Sequence, residues 1–115
     1  MEEVSIQEKD SIEYKFVDKI TSRFHNEIIK IFFFGSRAKG ISQPESDYDF
    51  LIILQKKDKK TVDGIYDVVT DFLIKYGVDI SLKIYRDNKF QEMASIPTPF
   101  MASVLKTGKE VWSRI

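Results

Sequence analysis

The chain has 115 residues, 43% of them hydrophobic, which is enough for one small core and predicts a single domain over residues 1–115. Its 18 lysines and arginines balance its 18 aspartates and glutamates, so no net positive charge attracts nucleic acid, and we expect no nucleic-acid partner. Cysteine is absent, which excludes a disulfide framework or a cysteine nucleophile and favours the cytoplasm, and no apolar run approaches the roughly 20 residues that would span a membrane.

The first predicted element is an amphipathic helix over residues 7–28. Its apolar residues recur at every fourth position, which is the spacing of one helix face, at Ile12, Phe16, Ile20, Phe24 and Ile28. The run IIKIFFF, residues 28–34, is dense in β-branched and aromatic residues and is followed by Gly35, which predicts that its second half is a strand buried on both faces. The boundary between helix and strand falls within residues 26–29.

The middle of the chain predicts a strand, a helix and a further strand. Residues 46–55 are polar at first and apolar after Phe50, and they precede the basic turn QKKDKK. Residues 61–76 carry apolar side chains at three- and four-residue spacing, and Gly77 follows where a helix C-cap glycine belongs. Residues 78–85 alternate strictly between apolar and polar side chains, which predicts a strand covered on one face only.

The last segment follows the polar stretch RDNKFQE. Pro97 and Pro99 favour the start of a helix, Gly108 favours its end, and residues 110–112 predict a short strand. Helices and strands in this order indicate an α/β (α+β) fold, with one mixed β-sheet and helices packed against it.

Two aspartates one residue apart stand at the start of the second predicted strand. Asp47 and Asp49 would lie on one face of that strand, with Cα atoms roughly 6.7 Å apart. Carboxylate oxygens favour Mg²⁺ or Mn²⁺, and paired metal ions are a recurrent device for displacement at phosphorus. The alternative interpretation is a solvated pair of aspartates in a turn.

The preceding Gly-Ser predicts an anion-binding turn. Gly35 ends the buried strand, and Ser36 can cap a short helix whose free backbone N–H groups would favour a phosphate. Arg37 and Lys39 add positive charge within one turn, so these four residues are candidates for binding a nucleotide. The alternative is an ordinary glycine between strand and helix, followed by a solvated basic turn.

Two known motifs can be excluded for this stretch. A P-loop would need lysine at the position of Ile41, and Pro44 interrupts the helix that should follow. A calcium-binding loop would need an oxygen ligand and a glycine where Leu51 and Ile52 stand. Neither motif accounts for the combination of a basic turn and a carboxylate pair.

The stretch GSRAKGISQPESDYD combines Gly-Ser, ten intervening residues and Asp-x-Asp. This pattern resembles the signature of the minimal nucleotidyltransferases, a family of the DNA polymerase β-like superfamily that includes MntA-type antitoxins, and the resemblance extends over most of the chain. It implies a nucleotidyltransferase fold, like the palm of polymerase β, for the single domain. Lys39 stands where the family more often has arginine, which keeps the charge and loses the bidentate fork.

The resemblance also implies roles for residues that match the motif. Asp47 and Asp49 would bind two Mg²⁺ ions as catalytic metal ligands, and Gly35 and Ser36 would bind the triphosphate of ATP, the substrate. A third carboxylate on a later strand completes the metal site in that family, and Asp79 is the candidate here.

Asp79 is also the best candidate on sequence grounds. It begins the polar face of residues 78–85, whereas Asp63, Asp67 and Asp71 lie on the solvent face of the preceding predicted helix. The alternative is a solvated aspartate that follows a glycine turn.

The implied reaction transfers AMP from ATP to an acceptor hydroxyl, with release of pyrophosphate. In this family the acceptor is often a tyrosine of a HEPN-domain toxin, a ribonuclease that the added AMP inactivates, so the resemblance implies an antitoxin with such a protein partner. No residues of the chain remain for a further domain that would hold the acceptor. Two alternatives are a nucleotidyltransferase of small molecules and a catalytically silent module that inhibits or scaffolds a partner. The complete carboxylate set argues against the silent module.

Overall fold

The computed structural model describes residues 3–41, 43 and 46–114. Over these residues the chain forms five helices and four strands. In chain order they are α1 (Ile12–Phe24), β1 (Ile28–Phe34), α2 (Gly35–Lys39), β2 (Tyr48–Leu54), α3 (Lys59–Tyr76), β3 (Ile80–Arg86), α4 (Asp87–Ala94), α5 (Pro99–Thr107) and β4 (Lys109–Ser113). No helix in this part of the chain is long and apolar enough to cross a membrane.

The four strands form one sheet in the order β3-β2-β1-β4. Strand β1 runs antiparallel to β2 and β4, whereas β2 and β3 are parallel and are connected through α3. The sheet is therefore mixed, and the predicted α/β (α+β) class is confirmed. Because β2 lies between β1 and β3, its first residues have a neighbouring strand on each side.

Strand β2 is buried on both faces, and each face belongs to a different core. Phe50 packs with Phe16 of α1, ring centroids 4.9 Å apart, in a core that also contains buried residues of α3. Leu51 points to the opposite side and packs with Phe90 of α4 and Met101 of α5 in a second core. We call this second side of the sheet the α4/α5 face.

Helix α1 is shorter than the predicted helix at both ends. It begins after Ser11, whose hydroxyl accepts a hydrogen bond from the Tyr14 N–H at 3.2 Å. It ends at Phe24, and Ile28 is already the first residue of β1, paired with Leu54. Ile28 was therefore wrongly assigned to the helix. A buried strand residue can fall at the same four-residue spacing by chance.

Helix α3 matches its prediction closely. The side chain of Asp58 caps its first turn by accepting a hydrogen bond from the Thr61 N–H at 2.8 Å. Gly77 follows its last residue with φ +67°, the left-handed conformation that glycine adopts most readily. Helix α3 connects two parallel neighbouring strands and so brings the start of β3 beside the start of β2.

The polar stretch RDNKFQE, to which the sequence assigned no element, is almost entirely helical. Its first residue ends β3 and the rest begins α4, which contacts β2 and β3. Phe90 is the one buried residue of that helix, and its ring stacks on Phe32 of β1 at 5.9 Å. The predicted helix between Pro99 and Gly108 and the short strand after it are confirmed as α5 and β4.

Candidate active site

The carboxylate pair lies where β2 begins, at the centre of the sheet. Asp49 is paired with Phe34, the last residue of β1, and with Ser81 of β3. Because side chains alternate along a strand, Asp49 shares the α4/α5 face with Leu51. On this face the Phe34 ring packs edge-on against Phe100 of α5 at 5.6 Å, and Asp49 is half-buried.

The Asp49 carboxylate has only partial charge compensation from its surroundings. Burial raises the pKa of the Asp49 carboxyl above its ordinary value of 3.8, and the neighbouring carboxylate of Asp47 raises it further. The ammonium group of Lys83 acts in the opposite direction and lowers that pKa. A bound cation would offset both effects that disfavour ionisation of Asp49, so the pair has the chemistry of a metal site.

Gly35 joins the two halves of the sequence motif in space. Its φ is +81°, and a Cβ at this position would lie 3.0 Å from Cγ of Asp49 and closer still to Oδ2. Both the left-handed backbone and the close approach therefore require glycine. Through this contact the chain enters α2 directly beside the Asp49 carboxylate.

Helix α2 differs in one respect from the prediction. Phe34 occupies its N-cap position without a side-chain cap, and Ser36 lies within the first turn, so the predicted capping role of Ser36 is wrong. The left-handed conformation of Gly35, φ +81°, lets the chain turn directly after β1, so the helix begins two residues earlier than predicted. Lys39 is exposed in the last turn, and Gly40 ends the helix with φ +75°.

The Arg37 side chain is directed to the loop that follows α2. Its Nε donates a hydrogen bond to the carbonyl of Ser46 at 2.7 Å, and its Nη2 donates to the carbonyl of Gln43 at 3.5 Å. Its guanidinium carbon lies 4.1 Å from the centre of the Tyr48 ring. Arg37 therefore contacts both residues that flank Asp47 in the sequence.

Asp79 lies beside the start of β2, as its strand assignment predicts. The backbone N–H of Tyr48 donates to the Asp79 carbonyl at 3.0 Å, and Tyr48 is paired with Ile80, the next residue. Asp79 is therefore the neighbour of Asp47 across the two parallel strands, and it is exposed. Among residues 3–41, 43 and 46–114, however, no three acidic or histidine side chains converge as a metal-binding group. A third metal ligand at Asp79 stays a prediction.

Two residues of β3 belong to this site although the sequence did not single them out. Ser81 is the partner of Asp49, and the exposed Lys83 is the next residue of β3 on the same face. The strict alternation from Asp79 to Lys83 was the available signal, since it already placed the three polar side chains on one face. Lys83 adds a positive charge near the carboxylates.

A separate cleft of about 630 Å³ lies on the other side of the sheet, between α1 and α3. Its walls include lysine and tyrosine side chains and also Asp71 of α3. Asp71 is thus separated by the sheet from Asp49, which agrees with its predicted place on the outer side of its helix.

Comparison with protein families identifies one match over most of the chain. The family described as "Polymerase beta, Nucleotidyltransferase" matches residues 17–115. These residues include all the site residues described above, from the Gly35 turn to β3.

Two curated relatives come from Methanocaldococcus jannaschii. The "Putative protein adenylyltransferase MJ0604" is 33% identical over 98 residues, which cover 85% of this chain and 92% of the relative. The "Putative protein adenylyltransferase MJ1305" is 30% identical over 103 residues, which cover 87% of this chain and 69% of the relative.

Solved structures share the fold at lower identity. A toxin-antitoxin complex with AMP-PNP aligns with a TM-score of 0.56 at 17% identity, over 86% of this chain and 72% of the solved one. An MntA-HpeT toxin-antitoxin variant aligns with a TM-score of 0.59 at 16% identity, over 90% and 74% of the two chains. A Sulfolobus solfataricus protein described as a "putative nucleotidyltransferase" aligns with a TM-score of 0.52 at 21% identity, over 87% and 76%. At these identities the likeness establishes the fold.

Proposed function

We propose that this chain, which belongs to the polymerase β nucleotidyltransferase family, transfers AMP from ATP to a hydroxyl side chain of a partner protein. The observation that carries the proposal is the approach of Gly35 to Asp49, because these residues belong to the predicted phosphate-binding turn and the predicted metal-binding pair. The description of two relatives as protein adenylyltransferases supports a protein acceptor and AMP as the transferred group.

Asp47 and Asp49 are the residues that would hold Mg²⁺. Their oxygen atoms are the ligands that this ion prefers, and the raised pKa of Asp49 indicates a place where a cation relieves repulsion between carboxylates. Two bound Mg²⁺ ions would neutralise the triphosphate and lower the pKa of the acceptor hydroxyl.

The protein's part in the reaction is to position the reacting groups. The backbone N–H groups of Gly35 and Ser36, at the start of α2, would hold the triphosphate, and Lys39 and Lys83 would add positive charge. The acceptor oxygen attacks the α-phosphorus, the bond from this phosphorus to the bridging oxygen breaks, and pyrophosphate leaves. The exposed Asp79 carboxylate, at the open end of the site, would take the proton of the acceptor hydroxyl.

The proposed partner is a HEPN-domain toxin that accepts AMP on a tyrosine, which makes this chain an antitoxin. Two kinds of support exist for this finer assignment. The Gly-Ser and Asp-x-Asp spacing resembles minimal nucleotidyltransferases that act on such toxins, and solved proteins of the same fold occur in toxin-antitoxin complexes.

The test is transfer to a protein. The chain is co-expressed with the product of its neighbouring gene, purified, and incubated with Mg²⁺ and each nucleoside triphosphate in turn, and intact-mass spectrometry is applied to both proteins. We expect an AMP adduct on a tyrosine of the partner with ATP, and none with the Asp47→Asn/Asp49→Asn double variant. Efficient transfer to a small alcohol without any protein adduct would instead identify an enzyme of small substrates.

A further inference from the structure

We propose that Arg37 positions the residues around Asp47 and is not a ligand of the substrate phosphates. The inference rests on the proposed function for the identity of the site. It reverses what the basic turn GSRAKG predicts, in which Arg37 and Lys39 share one role. The two residues belong to the same short helix, but their side chains have different surroundings.

The first argument is which atoms Arg37 contacts. Its guanidinium donates to the backbone carbonyl of Ser46 at 2.7 Å and lies 4.1 Å from the ring of Tyr48. Ser46 and Tyr48 are the residues directly before and after Asp47. One side chain therefore contacts the backbone before the proposed metal-binding aspartate and the aromatic ring after it, at the point where the chain leaves a loop and begins β2.

The second argument is the side of the sheet on which the guanidinium lies. Tyr48 alternates with Asp49, and its ring packs at 6.4 Å on Phe33, which belongs to the core beneath α1 and α3. Asp49 points to the α4/α5 face, where Ser81 is its partner. The cation held over Tyr48 is therefore on the opposite side of β2 from the carboxylate that would bind the nucleotide's metal.

The third argument is that Arg37 also bonds to a turn formed by described residues of the loop. Gln43 and Ser46 bond to each other, from the Gln43 N–H to Ser46 Oγ at 3.0 Å and from the Ser46 N–H to the Gln43 carbonyl at 3.0 Å. The Gln43 carbonyl also accepts from Arg37 Nη2 at 3.5 Å. Among the described residues, Arg37 thus bonds both Gln43 and Ser46 and links them to α2.

This role requires the shape of arginine and not only its charge. A guanidinium donates hydrogen bonds in several fixed directions within its plane and presents a flat face to an aromatic ring, whereas a lysine ammonium is a point charge that cannot do both. A phosphate contact makes the opposite demand, since lysine binds phosphate well as a point charge. The variant Arg37→Lys therefore separates the two roles.

The experiment compares Arg37→Lys and Arg37→Ala with wild type and with the control Lys57→Ala, an exposed lysine in the turn at the far end of β2. Mn²⁺ binding to the nucleotide-free protein is measured by electron paramagnetic resonance. We expect both Arg37 variants to bind Mn²⁺ about 10-fold or more weakly, the usual effect of removing a group that orients a metal ligand. We expect Lys57→Ala to match wild type.

Two further measurements make the outcome decisive. Amide hydrogen exchange over residues 46–48 should become faster in both Arg37 variants, and their ATP affinity should return to within about 2-fold of wild type at saturating Mg²⁺. Tyr48→Leu, which removes the ring and leaves Arg37 in place, should shift Mn²⁺ binding in the same direction if Arg37→Lys does not fold. Wild-type exchange and Mn²⁺ affinity in Arg37→Lys, or ATP affinity that stays low at any Mg²⁺ concentration, would overturn the proposal.

These readouts do not depend on AMP transfer. Weakened Mn²⁺ binding and faster exchange in the Arg37 variants would support the positioning role even if no protein acceptor is found. Absence of protein adducts with wild type would instead count against the proposed function alone.

Discussion

The Cα of Gly35 faces the carboxylate of Asp49 so closely that a Cβ on Gly35 would lie 3.0 Å from Cγ of Asp49. The two residues are 14 positions apart in the sequence, and they meet because Phe34, next to Gly35, is paired with Asp49. The close contact leaves no space for a side chain between the start of α2 and the carboxylate. It also provides a direct test of the site.

Gly35→Ala should abolish most of the activity. An added methyl group would push the Asp49 carboxylate away from α2, and a misplacement of about 1 Å at a reacting centre can cost about 10²-fold in rate. The matched control is Gly77→Ala, because Gly77 also has a positive φ, +67°, but has open space where its Cβ would be. Both variants should lose about 1–2 kcal/mol of stability from the left-handed backbone. Similar activity of the two variants would contradict the proposed contact between the motif halves.

Removal of the Asp49 charge should stabilise the metal-free protein. The pKa of Asp49 is raised in the folded state by burial and by Asp47, so the ionised side chain opposes folding at neutral pH. At pH values above the folded-state pKa of Asp49, the Asp49→Asn variant should therefore unfold at a higher denaturant concentration than wild type. This advantage should disappear as the pH falls through the raised folded pKa to the ordinary value of 3.8, below which Asp49 is protonated in both states.

The measurement is urea unfolding in the presence of a chelator, from about pH 7 to about pH 4. Asp49→Asn and Asp47→Asn should both lose Mg²⁺-dependent transfer, since each lacks a metal ligand. If the difference in stability between Asp49→Asn and wild type is the same at both ends of this pH range, the charge of Asp49 does not destabilise the folded protein. Near-full activity of either variant would show that the metal assignment is wrong.

Lys83→Met should weaken binding of the triphosphate and raise the pKa of Asp49 further. The ammonium of Lys83 lowers that pKa, so it lies close enough to Asp49 to attract the phosphates of a nucleotide bound there. Loss of one charge interaction near the protein surface, about 1 kcal/mol, corresponds to about 5-fold in affinity. Calorimetry with ATP and Mg²⁺ measures the affinity, and Lys57→Met at the far end of β2 is the control. If Lys83→Met binds ATP as tightly as wild type, Lys83 is a solvated residue of β3 that does not contribute to nucleotide binding.

Asp79→Asn should lower the transfer rate by about 10²-fold or more, the lower part of the range for a general base, while triphosphate binding is largely kept. Asp79 is exposed beside the first residues of β2, whereas Asp71 lines the cleft between α1 and α3 on the other side of the sheet. Asp71→Asn should therefore behave as wild type, within about 0.5 kcal/mol in stability. Single-turnover kinetics of the two variants decide the matter, and equal rates would exclude Asp79 as the acceptor-side base.

The features that depend on local geometry can be predicted from the sequence alone. The spacing of Asp47 and Asp49 places them on one face of a strand, and Gly77 supplies a left-handed C-cap, because both follow from the conformation of a few consecutive residues. The mixed α/β class followed from the order of such elements. Helix α4 was missed because its polar sequence shows no apolar periodicity. Its single buried residue, Phe90, packs with residues that lie elsewhere in the chain.

Contacts between distant side chains depend on how the strands pair, which the sequence does not reveal. Gly35 and Asp49 come together through antiparallel pairing of β1 with β2, and Lys83 reaches the carboxylates through parallel pairing of β2 with β3. Strand order and direction depend on packing between distant segments, which no local period records. Arg37 is the clearest case: its position in a basic turn predicts an anion ligand, but the turn of α2 directs it to Ser46 and Tyr48, where its guanidinium gains a carbonyl and an aromatic ring.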